Sequence, residues 1–213
     1  MRSIYHHILE EIRSGTRIVL ATVVQTAGST PQKAGSSALF GKAGLLSGTI
    51  GGGPLEDEVK HIAESVMISG FSDHFYFNLN DEPGSDGAIC GGEARVLVDA
   101  DPAANLQALK DLEQSLARQD DGFLLTVVSQ KFDQGRSIRR YWINSPKPSD
   151  YPEGMDPVFK DLVGKEIPKA ESEGFISIDV HSISDPQVNM AFMEHIKPLP
   201  RLLIVGGLSL IHI

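Results

Sequence analysis

Most of what a disulfide-bonded, zinc-binding or membrane architecture needs is missing from this sequence. There is one cysteine, Cys90, so no internal disulfide and no multi-cysteine zinc site can form. No apolar run reaches the roughly 20 residues that cross a bilayer, and the opening MRSIYHHILEEIRSG has no signal-peptide hydrophobic region. Positive charge is also short. The 19 Lys and Arg against 28 Asp and Glu give a net charge of −9 with no Lys/Arg run, which argues against nucleic acid or an anionic membrane as partner. These absences lead us to expect an acidic, soluble, cytoplasmic protein. Its 213 residues, 41% of them hydrophobic, suffice for a sizeable core in one large domain or two small ones.

Glycine is present where it counts. In SGTIGGGPLEDE, Gly51, Gly52 and Gly53 run into Pro54, a residue favoured at the first helical position. Glu56, Asp57 and Glu58 follow and suit the positive end of a helix dipole. Leu55, Val59, Ile62, Ala63, Val66 and Met67 then recur at helical spacing, and Gly70 stands where a C-terminal cap belongs. The stretch reads as a strand end, a glycine loop and a helix start. Its free N–H groups suit a phosphate or another anion; a tight turn that binds nothing is the competing reading. The P-loop lysine and the Rossmann glycine spacing are both absent.

Along the chain, Ile4, Ile8, Leu9 and Ile12 predict a short amphipathic helix ended by Gly15. His6 and His7, about 100° apart on it, read as solvated surface. RIVLATVV predicts a buried strand, residues 36–40 and LLSGTI a hairpin across GKAG, and HFYFNLN and EARVLVDA further strands. Leu106, Leu109, Leu112 and Leu116 mark a helix with Asn105 as its cap. GFLLTVVSQ and RSIRRYWIN pair, while 144–174, rich in proline and charge, reads as a surface loop or insertion. FISIDVH and AFMEHI are strands, and PRLLIVGG has the continuous apolar character of a buried parallel strand. Residues 17–100 and 122–197 both run from a TVV strand to a strand with proline just beyond, which suggests a diverged duplication.

Three glycine-bearing loops follow strands: GSTPQKAG, GTIGGGPLE and CGGEARVLV. At one end of an α/β sheet they would bring backbone donors and the hydroxyls of Ser29, Thr30 and Thr49 to one crevice. A flat, polar ligand bearing phosphate would match such a cluster.

In that order, followed by PRLLIVGG, these elements resemble the XdhC/CoxI family, accessory proteins of xanthine dehydrogenase and related molybdenum hydroxylases. The resemblance covers nearly the whole chain. It implies an α/β fold with a mixed-sheet, glycine-loop cofactor-binding domain over residues 1–198. It also implies that 199–213 begin a Rossmann domain that is cut short, with LSLIHI (208–213) an artefactual tail. It further implies binding of the molybdenum cofactor, as molybdopterin or its dinucleotide form, through Gly28, Ser29, Thr30, Lys33, Thr49, Gly51, Gly52, Gly53, Glu56, Cys90, Gly91 and Gly92. The implied partners are a cysteine desulfurase and an apo-hydroxylase of the xanthine dehydrogenase type. Whether the chain dimerises is left open.

The chain departs from the family in one loop: where members often carry arginine after the loop proline, it has Gln32 and Lys33. Lys33 would supply the charge as a point contact and not a bidentate one. Cys90 carries two readings, a small buried hydrophobe or a soft ligand near the molybdenum. Glu56 and Asp57 read as helix-start stabilisers, and His61 as structural or solvated. An accessory factor with no catalytic residues is the leading expectation. The alternative is an enzyme in its own right, an NAD(P)-dependent oxidoreductase or a pterin-modifying transferase.

Overall fold

The computed structural model describes residues 3–79, 91–130, 135–144, 147, 150–180, 183 and 187–200. Helix α1 (Ile4–Ser14) starts where the Ser3 side chain accepts from the His6 N–H. It stops at Gly15, whose φ of 75° no β-carbon opposes. The β-branched run after it forms β1 (Val19–Gly28), which pairs with β2 (Ser37–Gly41) on one side. On its other side lies β5 (Gly92–Asp99). A two-residue turn leads to β3 (Gly44–Gly48), and α2 (Gly53–Ser69) crosses to β4 (Asp73–Asn78). The strand order of this sheet is β3-β2-β1-β5-β4.

A short 3₁₀ turn and α3 (Leu106–Ala117) lead into the second sheet. There β6 (Gly122–Gln130) and β7 (Arg136–Ile143) form a hairpin, α4 (Pro157–Glu173) follows, and β8 (Phe175–Ile178) and β9 (Val188–Ile196) close the order β7-β6-β9-β8. The expected α/β class is borne out. Every strand pair among the described residues is antiparallel, so the sheets are not built from parallel crossovers. Both halves share one plan: two strands, a helix, two strands, with β2-β1-β5-β4 matching β7-β6-β9-β8. β3 has no counterpart in the second half.

Two expectations need correction. Residues 144–174 are no mere surface loop, because they contain α4. Asp156 accepts from the Val158 N–H at its start, and Phe159, Leu162, Val163, Ile167 and Ala170 are buried at helical spacing. Pro168 inside this helix obscured the pattern, since a proline there removes the bond to the carbonyl four residues back. Asn105 makes no side-chain cap for α3. Its amide instead clasps β7, donating to the Ile138 carbonyl at 3.1 Å and accepting from the Arg140 N–H at 2.7 Å. RLLIVGG and LSLIHI lie outside the described residues.

The outer face of the first sheet is covered by α2, that of the second by α4. Their inner faces meet. At one end α1 and α3 fill the gap around Leu20, Leu39, Leu124 and Trp142; at the other, Val24, Leu97, Val128, Ile138 and Phe192 pack directly. Between these apolar patches lies a polar seam. Arg140, on β7, donates to Asp99 Oδ2, on β5, at 2.5 Å, and both side chains are almost wholly buried. Asp99 Oδ1 also accepts from the Asp101 N–H at 3.0 Å and from Ser72 Oγ at 3.4 Å.

Removing the Asp99 charge strands a buried guanidinium. Asp99→Asn is therefore expected to lower stability by about 3–5 kcal/mol in urea denaturation. A loss below about 1 kcal/mol would show that the two halves hold together without the pair.

Candidate functional site

The glycine loops do converge, though not by the crevice rule of parallel sheets. Gly28 and Gly92 face each other at the end of the β1–β5 ladder. A β-carbon on Gly92 would stand 2.4 Å from the Ser29 carbonyl oxygen, and one on Gly28 would stand 2.7 Å from that of Gly91. Gly51, at φ 129°, would drive a β-carbon to 2.6 Å from Pro31 Cβ. The first loop therefore touches both others through backbone that only glycine allows. Gly52 and Gly53, at φ 68° and 59°, have open space where their side chains would be. Cys90 lies outside the described residues, as does the rest of its loop back to residue 80.

The donors of the second loop are already in use. Glu56, one turn into α2, reaches back so that its Oε2 accepts from Thr49 Oγ1 at 2.7 Å, from the Ile50 N–H at 3.1 Å and from the Gly52 N–H at 3.3 Å. The Gly51 N–H donates to Thr49 Oγ1 at 3.0 Å. Glu56 thus acts as a built-in anion, closing the helix start like the glutamate of a capping box. In the first loop Thr30 spends its hydroxyl on the Gln32 carbonyl at 2.8 Å, while Ser29 and Lys33 are exposed.

Beside these loops, between the two halves, is a cleft of about 860 Å³. Gln32, Gly35 and Ser36 of the first loop border it, as does Thr49. Ile4, Leu116, Ile196 and Leu199 supply apolar wall, and Tyr5 and Glu194 are its buried polar groups. Sequence reading missed both. The available signal was a glutamate in AFMEHI on the strand face that carries Phe192, which packs inward.

Glu194 is 6% exposed and takes no hydrogen bond from another described side chain. Burial pushes its carboxyl up to about 7, and the nearby Arg140 guanidinium offsets only part of this. Burial, then the Glu194 charge, likewise pushes the Tyr5 phenol well above its usual range, against the pull of Arg140. Thr126 Oγ1, on the neighbouring strand, is buried and without a partner.

His6 and His7, expected on solvated surface, instead tie α1 down. His6 Nδ1 pairs with Glu113 Oε1 at 2.8 Å and His7 Nδ1 with Ser47 Oγ at 2.6 Å. His61, read as structural or solvated, is solvated, near Glu64. No cluster of three or more histidine, cysteine or acidic residues suited to a metal occurs among the described residues. No helix among them is long and apolar enough to cross a membrane.

Residues 11–76 match the model of the XdhC and CoxI family. A solved structure from Bacillus halodurans, described as a xanthine dehydrogenase, superposes with a TM-score of 0.63 at 19% identity. The match covers 92% of this chain and 53% of that one, so the chain spans about half the length of the protein it resembles. That likeness shows a common fold. No curated protein matches the chain.

The state of Glu194 sets a pH dependence. The folded protein keeps this proton up to about pH 7, whereas an unfolded chain releases it near 4.5. Between those values the native state binds more protons, so stability falls as pH rises and levels off above about 7. A gap of about 2.5 pH units corresponds to on the order of 3 kcal/mol. Glu194→Gln is expected to abolish that part of the slope, leaving Tyr5 and Arg140, the groups that face it, in place. Urea denaturation of both proteins across this range checks it; parallel profiles would refute the assignment.

Proposed function

We propose that this chain, whose residues 11–76 match the model of the XdhC and CoxI family, is an accessory factor in the maturation of a xanthine dehydrogenase-type molybdenum hydroxylase. Its task in this reading is to bind the molybdenum cofactor, as molybdopterin or its dinucleotide form. It would hold the cofactor while a cysteine desulfurase supplies sulfur, then release it to the apo-hydroxylase. The observation that carries the reading is the matched span itself. It contains GSTPQKAG, TIGGG and α2, the parts that meet one another beside the cleft.

The residues present fit such a ligand. A cleft of this size lies in the range of small-molecule sites and pairs apolar wall with a few polar groups. The second loop offers three donors to one anionic oxygen, a position that Glu56 now fills. Each donor to a charged oxygen contributes roughly 1.5–3 kcal/mol. A ligand phosphate would exchange with the Glu56 carboxylate, so only the difference between two anions appears as affinity. A carrier that must later release its cargo is served by that small difference. Lys33, exposed on the first loop and in no ion pair among the described residues, would add a positive charge toward the ligand's anionic end.

Two substitutions test this together. The purified chain is mixed with molybdenum cofactor released from a donor enzyme and passed through gel filtration, and co-eluting molybdenum and pterin are quantified. The parent should retain cofactor and activate apo-hydroxylase. Lys33→Ala should weaken retention roughly tenfold, about 1.4 kcal/mol. Glu56→Gln, with the internal competitor's charge removed, should bind more tightly while melting lower. Absence of retention by the parent would sink the proposal.

A further inference from the structure

The cleft holds a carboxylate, that of Glu194, to which no described side chain donates a hydrogen bond. Asp99 and Glu194 flank the same buried cation, but the Arg140 guanidinium is hydrogen-bonded to Asp99. Asp99 collects further donors from Ser72 and the Asp101 backbone, whereas Glu194 has none from any described side chain. Its diagonal neighbour across the β6–β9 ladder, Thr126, is also unpaired. Buried polar groups in folded proteins are nearly always satisfied. The Glu194 carboxylate lines the cleft, with Thr126 buried beside it on the neighbouring strand, so a group that enters the cleft can complete its bonding.

The geometry says what kind of group. A carboxylate presents two coplanar acceptor oxygens, and the best partner is a rigid pair of adjacent N–H donors. The walls at Ile4, Leu116, Ile196 and Leu199 are apolar and suit the faces of a flat ring. Thr49 belongs both to the cleft lining and to the glycine-loop network, so the two regions are continuous.

We propose that Glu194 is the recognition residue of this cleft, its carboxylate accepting two adjacent N–H donors from the amino-pyrimidinone edge of a pterin. The inference rests on the cofactor-binding reading above and deepens it by assigning the ring end of the ligand to Glu194. Discrimination follows from the chemistry. Lumazine has the same ring shape with a carbonyl in place of the 2-amino group, and that carbonyl would set an acceptor against the carboxylate. A buried site built to bond an N–H rejects an analogue that lacks it.

The test is a fluorescence titration of the whole chain with free pterin and with lumazine. The parent should prefer pterin by at least about tenfold. Glu194→Gln, whose amide can both donate and accept, should lose about tenfold or more in pterin affinity and narrow or reverse the preference. Leu199→Trp, a change at an exposed lining residue, should weaken both ligands and decides the matter of location if the Gln variant fails to fold. A parent without preference overturns the proposal. So does a folded Gln variant with parental pterin affinity, or a Trp variant that binds both ligands as the parent does. If the chain retains molybdenum cofactor but shows no pterin preference, the accessory-factor reading stands and the role of Glu194 falls. A pterin preference that depends on Glu194 in a chain that retains no cofactor supports this site and sinks the accessory-factor reading.

Discussion

One buried cation sets the terms for the middle of this protein. Arg140 comes from the second sheet and meets Asp99 of the first, so the two halves are joined by a charge pair with both partners out of water. Desolvating a guanidinium and a carboxylate costs several kcal/mol each, and good geometry with further donors is needed to offset it. Asp99 has those donors in Ser72 and the Asp101 N–H, and Asn105 fixes the backbone of Arg140 from the other side. The seam is therefore specific. Apolar contacts alone, on either side of it, would permit the sheets to slide. A polar centre that bonds in one register does not.

That constraint explains which parts of the fold could be read from sequence. β1, α2 and the hairpins announce themselves because their signals are local: β-branched runs, helical periodicity, glycine at turns. The glycine loops were legible as loops, and their convergence was anticipated for the wrong reason. Parallel-sheet logic placed them in a common crevice, whereas antiparallel ladder ends and contacts at Gly28, Gly51 and Gly92 bring them together. α4 was hidden by Pro168, even though Phe159, Leu162, Val163, Ile167 and Ala170 keep helical spacing. Asn105 looks like a cap by type and position, but tertiary bonding to β7 outbids the local bond. Glu194 was not legible as a site residue. Its meaning depends on Arg140 and Tyr5, one more than 50 residues away in sequence and the other at the opposite end of the chain.

Glu56 shows how a glycine loop before a helix can be stable by itself. Glycine-rich loops before helices leave N–H groups that must find acceptors, and here the helix supplies its own. The result is a loop preorganised around an anion, with Gly52 and Gly53 open beside it. Preorganisation lowers the cost of ordering on binding, while the internal carboxylate limits the net gain. Those two effects together favour a ligand held in place but not locked, as the proposed carrier role would require.

The same logic applies more sharply at Glu194. An ionisable group raised to about 7 by burial destabilises the fold at neutral pH relative to a neutral side chain of the same shape. Nothing among the described residues demands a carboxyl there. Arg140 is already bonded to Asp99, the core around Phe192 and Met193 is complete, and the seam is fixed by other residues. Strained or under-bonded groups of this kind concentrate where a protein binds or reacts, because their missing partners come from the ligand. Glu194 lines a cleft continuous with the glycine loops, and so its deficit is placed where a ligand can remove it. A donor pair that fills the site recovers the hydrogen bonds that folding left unmade and favours the ionised carboxylate. Recognition and stabilisation of the native state then become the same event.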